Sequence, residues 1–531
     1  MWFFKMVNEK YSKDLIISYF FPEYVDTGGF VVAKRIIENG KKVDVIQNHI
    51  ENVALDDSLN DLINEYIEDK IVLHAFDTEK WEWSVIKPFI EEGMIELNNQ
   101  KSKKGVYKSI YSRAMPTPAH FLAFEYKTQN PNTKWIAEFS DPVLFDNYGK
   151  ERNTKLPDEK YIKKVNSIIS HDVNLKELNP NITLDSNLTS IEFLCELLPF
   201  LFADKIIFTN ENQKKLMLNK FLLKNKGNFK NFKQFIDNKS LIKPQPILKK
   251  SAYESIQSKY EINHNYINFA YFGLFYGNRN FEDVFYAFEN ISPFFKSKYK
   301  LHIFTSQTEF VKRATSDLKI KDNIIINESR SFLDFLNLTT KFDVLIVTDA
   351  NTEDYFEINP YLPSKLSDYV GSGSDIWGIS ELGSILDSNE IIKYKSRLGD
   401  FISSKTIVNK IIQEKLNLKE NREEFNNSDS EIGVETQEQN DILESNLNEV
   451  INYLKKRNIG LTNDLNNVIN LNHEKQFYIN KLENDLKSYK VQLNDQQILN
   501  SKYNEEIDKM INSSSWKVTK PLRSIGQKIR K

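Results

Sequence analysis

Two periodicities alternate along most of this chain. Short apolar runs, the first at Leu15–Phe21, give way to stretches whose apolar side chains recur three and four apart. Val31, Val32, Ile36 and Ile37 mark such a stretch, and Gly40 stops it before the next run at Val43–Ile46. Apolar runs separated by helical stretches read as strands of a parallel sheet covered on both faces. Further strands are expected at 71–75, 134–139 and 205–209 in the first half. In the second half they are expected at 267–272, 301–305, 323–327 and 343–347. The helix after 267–272 carries Val284, Phe285 and Phe288. The predicted class is α/β, with two Rossmann-like domains facing each other across a cleft. Residues 1–245 form the first domain and 246–415 the second, hinged near the two prolines of LIKPQPILKK at 241–250.

After about residue 415 the pattern changes. Residues 416–441 are acidic and polar and read as a linker. From Leu443 through Leu447, Val450, Leu454, Leu461, Leu465 and Val468, and again from Ile479 to Leu493, apolar residues fall near heptad spacing. No proline occurs from 422 to 520, so 442–512 reads as a long coiled helix that would pair two copies or set a distance. The last segment, 513–531, holds six basic and no acidic residues, interleaved with Trp516, Val518, Leu522, Ile525 and Ile529. That composition suits a peripheral anchor on an anionic membrane surface; a solvated basic tail is the alternative.

Length and charge narrow the classes. At 531 residues the chain exceeds one core. A net charge of -3 leaves no footprint for nucleic acid. The single cysteine, Cys195, staples nothing and suits a reducing cytosol. Charges at Lys5, Glu9, Lys10, Lys13 and Asp14 break any signal-peptide core, and no run approaches the ~18 apolar residues of a membrane span. The expectation is a cytoplasmic protein, peripheral at the inner face of the cell membrane.

The candidate chemistry sits at strand–helix junctions. Gly28 and Gly29 would let backbone amides and a helix dipole approach an anion; an ordinary tight turn is the other reading. In GLFYGNRN, Gly273 and Gly277 precede Arg279, a guanidinium suited to a diphosphate or merely a surface side chain. In NPYLPSKLSDYVGSGS, Pro360 and Pro363 stiffen the entry and Ser364 would cap the helix. Lys365 and Asp368 share a face, and Gly371 to Gly373, with Ser372 between, close it. A cation for phosphate and a carboxylate for ribose would make a nucleotide-diphosphate site; a local Lys–Asp pair is the plain alternative. Asp141 lies at the C-terminal edge of the strand WIAEF, where ligands of parallel sheets sit. His120 is an acceptor-side or catalytic candidate, and His171 a weaker one.

In this order, together with ADKIIFTNENQ at 203–213, the motifs resemble a GT-B fold glycosyltransferase close to family 4, the retaining, nucleotide-sugar-dependent group. The resemblance covers roughly 14–415. WIAEFSDP, the 359–379 segment and the terminal SSSWKVTKPLR are similar to enzymes of bacterial cell-surface polysaccharide clusters. It implies that Arg279 and Lys365 grip and neutralise the donor diphosphate and that Asp368 binds ribose. Gly28, Gly29, Gly273, Pro363, Ser372 and Gly373 would line the donor, and Asp141 would join Arg279 and Lys365 in catalysis. It implies a nucleotide-diphosphate sugar as co-substrate, no other cofactor, no metal, and a glycan, lipid-linked or wall-polymer acceptor. The sequence has no Asp-x-Asp triplet. One departure stands out: the first glutamate of the family's pair falls on Pro360, and Glu357 is out of register. A subset with Pro-x-Lys matches Pro363–Lys365. The competing reading is a non-catalytic GT-B-like assembly protein acting through its coiled coil. A nucleotide-sugar epimerase is disfavoured, since neither opening strand is followed by Gly-x-Gly-x-x-Gly.

Overall fold

The structure, a computed structural model, describes residues 13–423 apart from 52, 75–81, 173–174, 176–183, 185–188, 225–229, 276 and 280, and also 450, 453–455 and 509. The chain divides into two compact units, 1–431 and 432–531. The predicted coil at 442–512 and basic tail at 513–531 belong to the second unit and, those five positions apart, lie outside the described residues.

The first unit holds two all-parallel sheets. One has seven strands: β1 (Asp14–Ile17), β2 (Val43–Asn48), β3 (Ile67–Leu73), β4 (Ser109–Ala114), β5 (Lys134–Phe139), β6 (Lys205–Phe208) and β7 (Ser240–Ile242), in the order β3-β2-β1-β4-β5-β6-β7. The other has six: β8 (Ile267–Phe272), β9 (Tyr299–Phe304), β10 (Ile324–Asn327), β11 (Val344–Thr348), β12 (Asp375–Ser380) and β13 (Tyr394–Arg397), in the order β10-β9-β8-β11-β12-β13. Each order reverses once, between β1 and β4 and between β8 and β11. Those reversals open crevices at the strands' C-terminal edges.

Six helices matter for the site: α1 (Thr27–Asn39), α2 (Pro118–Gln129), α3 (Ile191–Phe202), α4 (Phe332–Thr339), α5 (Lys365–Ser372) and α6 (Phe401–Glu423). Local chemistry sets α1. Asp26 in extended conformation accepts the Gly29 N–H at 2.8 Å, and Gly40, left-handed at φ 65°, closes the helix onto the Ile36 carbonyl. The acidic stretch expected as a linker from 416 is still helical to Glu423.

Each sheet has a core of its own. Trp135, Phe139, Phe208 and α3, including buried Cys195, fill the first; Phe269, Phe288, Trp377 and Ile411 of α6 fill the second. A third cluster joins the domains: Val32, Ile36, Val45 and Leu59 pack in one apolar body with Phe272, Leu336, Leu345 and Tyr369. Several polar contacts between domains run between loops or helix starts that follow strand C-terminal ends. Asn147, after β5, exchanges two 3.0 Å hydrogen bonds with Asn278, after β8. Asn210, after β6, donates to the Pro360 carbonyl at 2.9 Å; Asn212 donates to the Asn359 and Gly383 carbonyls at 3.1 Å each. The two sheets therefore meet edge to edge across a cleft, the two-domain GT-B arrangement.

Candidate functional site

The crevice between β8 and β11 receives two loops. The loop after β8 carries Arg279, half-buried. It is clipped on both sides: Asn278 to Asn147 of the first domain, and the Asn278 carbonyl to the Asn351 N–H at 2.6 Å. The glycines of this loop serve packing. A Cβ at Gly277 would lie 2.3 Å from the Tyr148 hydroxyl, and one at Gly273 would lie 3.0 Å from that of Tyr271. Gly277 thus leaves room for the first domain's Tyr148 against the loop.

Arg279 acts on two carboxyls from different domains. Asp141, just past β5, is raised by burial, while Arg113, Arg279 and Arg152 pull it down. Asp349, just past β11, is fully buried and pushed up to about 7; the Ser384 hydroxyl, the Glu381 N–H and the field of Arg279 oppose that rise. Its Oδ2 accepts from the Glu381 N–H at 3.0 Å and from Ser384 Oγ at 2.6 Å, whereas Oδ1 has no partner among the described residues. The structure thus brings Asp141 and Arg279 within electrostatic reach of each other.

Helix α5 is the second loop's contribution. Pro363 is buried and its carbonyl accepts the Leu366 N–H, so the first turn is fixed. Ser364 does not cap: its backbone is already helical and its side chain makes no cap bond. The Lys365 ammonium lies 4.1 Å from the centre of the Phe335 ring on α4. Burial lowers its pKa, Asp368 opposes that shift and Lys34 adds to it. Asp368 faces the other domain. Its Oδ1 meets Lys34 Nζ of α1 at 2.9 Å, and the same ammonium donates to Ser367 Oγ at 2.9 Å. Ser372 and Gly373 close α5 at its far end, Ser372 Oγ donating to the Tyr369 carbonyl and Gly373 turning left-handed at φ 77°.

The remaining predicted residues belong to the first domain. Gly28 and Gly29 open α1 in the crevice between β1 and β4. A Cβ on Gly28 would stand 3.1 Å from an Arg113 Nη, and the Gly29 N–H is already taken by Asp26. His120 lies in the core. It is fully buried beside Trp135 and Phe139, bonds Ser112 Oγ through Nδ1 at 2.8 Å, and burial draws its pKa down to about 3. His171 ends a surface helix and bonds the Ser167 carbonyl.

Lys34, Arg113, Asn147, Asn278, Asp349 and Glu381 are the residues that sequence reasoning missed. Lys34 had no signal, since a lysine on an amphipathic helix reads as solvated. Asp349 had one: a carboxylate directly after an apolar strand, as at Asp141.

No family model and no curated protein matches the chain. Among solved structures it is similar to sucrose-phosphate synthase from Thermosynechococcus elongatus, at 11% identity over 76% of this chain and 90% of that one, with a TM-score of 0.45. It is also similar to the lipopolysaccharide outer core galactosyltransferase WaaB, at 11% identity over 76% and 91% (TM-score 0.41). A third is WaaG, a glycosyltransferase involved in lipopolysaccharide biosynthesis, at 9% identity over 76% and 91% (TM-score 0.40).

Proposed function

We propose that this chain is a glycosyltransferase that takes a sugar from a nucleotide-diphosphate donor. One observation carries the reading: the two loops flanking the β8–β11 reversal each bring a cation, Arg279 on one and Lys365 at the start of α5 on the other. Cations fixed where charge develops on a departing diphosphate stabilise the transition state. Arg279 offers a two-pronged donor and Lys365 a point charge, lifted onto an aromatic face and partly stripped of water. Asp141 stands across the cleft, where an acceptor hydroxyl would approach from the first domain. With cations of the protein at the diphosphate, the transfer runs without a metal, and the family-4 resemblance makes it retaining. The acceptor in this reading is a cell-surface glycan, a lipid-linked sugar or a wall polymer. The enzyme works at the cytoplasmic face of the membrane, held by Trp516 and the basic tail, with two copies joined through the coil.

The test is nucleotide release from a panel of UDP-, GDP- and ADP-sugars. Wild type is expected to turn over at least one. Arg279→Ala and Lys365→Ala are each expected to lose about 10²–10³-fold in kcat. Absence of both binding and turnover across the panel would overturn the reading. Liposome flotation of protein cut before Ser513 tests the anchor, and undiminished flotation rejects it.

A second reading, the non-catalytic assembly protein, is favoured by one observation: Asp368 is buried against Lys34 rather than open to a ribose. In that case nucleotides do not bind at all.

A further inference from the structure

Neighbouring side chains of α1 point to different tasks. Arg35 stays within its own domain, bonding Glu138 at 3.0 Å and the Lys243 carbonyl at 2.8 Å. Lys34 crosses to the other domain and binds Asp368 and Ser367 of α5. Both members of the cross-domain pair are desolvated, with side-chain exposures of 2% and 5%. A short way off, the first domain also completes helix α4. Ser331, the residue before that helix, makes no cap bond of its own. Instead Asp56 accepts the Phe332 N–H and Ser58 accepts the Leu333 N–H, two donors that a helix start leaves unmet. Phe30 of α1 covers the same spot, its ring 4.8 Å from that of Phe332.

From this geometry we infer that Lys34 is an interdomain latch, holding the cleft shut through Asp368. The physical logic is an asymmetry. A buried ion pair adds little over an apolar pair of the same size, but one charge left buried without its partner is strongly unfavourable. Lys365 acts on both charges, so removing Asp368 leaves two buried cations together and removing Lys34 leaves Asp368 with Lys365 alone. Either loss drives the domains apart so that the survivors regain water, while removing both lets them stay closed. Resting on the reading of α5 as the donor edge, the latch also regulates the site. Lys34 and a ribose hydroxyl contend for one carboxylate, so opening and donor binding are coupled, and the coupling is reciprocal.

The chain is suited to a direct measurement, because its single cysteine, Cys195, is fully buried and a surface label will not reach it. Cysteines placed at Ile95 in the first domain and Phe294 in the second, 60% and 69% exposed, carry a dye pair whose energy transfer reports separation. Lys34→Met and its mirror Asp368→Asn are expected to lower transfer at unchanged helix content, and Lys34→Met/Asp368→Leu to restore it. UDP, GDP and ADP are then titrated; the accepted nucleotide is expected to bind Lys34→Met about tenfold more tightly than wild type. Transfer unchanged in both single variants, or not restored in the double, overturns the latch. Lowered and restored transfer with no nucleotide bound by any variant leaves the latch standing and removes the nucleotide reading of the site.

Discussion

A methyl group at Gly371 would meet the Tyr253 hydroxyl at 2.0 Å and Ile247 Cγ2 at 2.9 Å. Tyr253 is held there by its bond to the Asp368 carbonyl, so it cannot swing away freely. Gly371→Ala is expected to cost about 1–3 kcal/mol, read from a urea midpoint, and Tyr253→Phe to recover part of that loss. Sequence reasoning gave the glycines after Asp368 a ligand-facing role; the structure adds packing at Gly371 and a left-handed helix end at Gly373. Such reasons depend on Tyr253, over a hundred residues away in the chain, and no local pattern displays them. Asp349 is a titration case. With its folded pKa near 7 and an ordinary one near 3.8, the folded state keeps a proton that the unfolded chain has lost between those values. Stability from this group therefore falls as pH rises from about 4 to about 7. Asp349→Asn, which still offers an oxygen to Ser384 and Glu381, is expected to flatten that slope in urea unfolding at about pH 5 and about pH 8. His120, held near 3 by burial, tilts the other way below its ordinary 6.5, so the comparison is variant against wild type.

Elements whose burial is uniform were legible. β8, buried along its whole length, and β11 match their apolar runs to within a residue. β4, β7, β12 and β13 were missed. β4 reads Ser-Ile-Tyr-Ser-Arg-Ala, yet it is a central strand, because Ser112 bonds His120 and Trp135 and Arg113 pairs with Glu138. Its polar groups are satisfied by elements distant in sequence, and a short-range pattern cannot register that. β12 is interrupted by Gly378, where a side chain would press on Ile392 at 3.1 Å. The first run stops as a strand at Ile17, although apolar residues continue to Phe21, because the chain bends toward α1. Helix starts behave alike: Ser364 and Ser190 look equivalent in sequence, but only Ser190 accepts an N–H, that of Phe193 at 3.1 Å. Ser190→Ala is expected to lower stability by about 1 kcal/mol and Ser364→Ala to be near neutral, both by thermal or urea denaturation.

At the scale of the molecule, the shared apolar body joining Val32 and Val45 to Phe272 and Leu345 makes the domains interdependent. Their unfolding is expected to be one transition. Trp135 reports the first core and Trp377 the second; removing either indole by Trp→Phe should leave the fluorescence midpoint in step with circular dichroism. Separate midpoints would show that each sheet stands alone. The two-domain architecture was the most legible feature of all, since it repeats one simple alternation twice; the cleft's closure was not, since it depends on asparagines that single-sequence patterns treat as loop filler. Those asparagines have a consequence for solution behaviour. Asn147, Asn210, Asn212 and Asn278 bridge the rim through neutral amides and carbonyls, and the Lys34–Asp368 ion pair between the domains is shielded from water. Counterions screen exposed charges over about 10 Å at 0.1 M, but have little hold on dipoles or on a desolvated pair. The cleft should therefore keep the same width from about 0.01 M to about 1 M sodium chloride. Whatever draws these domains apart must act by contact with them, not by altering the ionic strength around them.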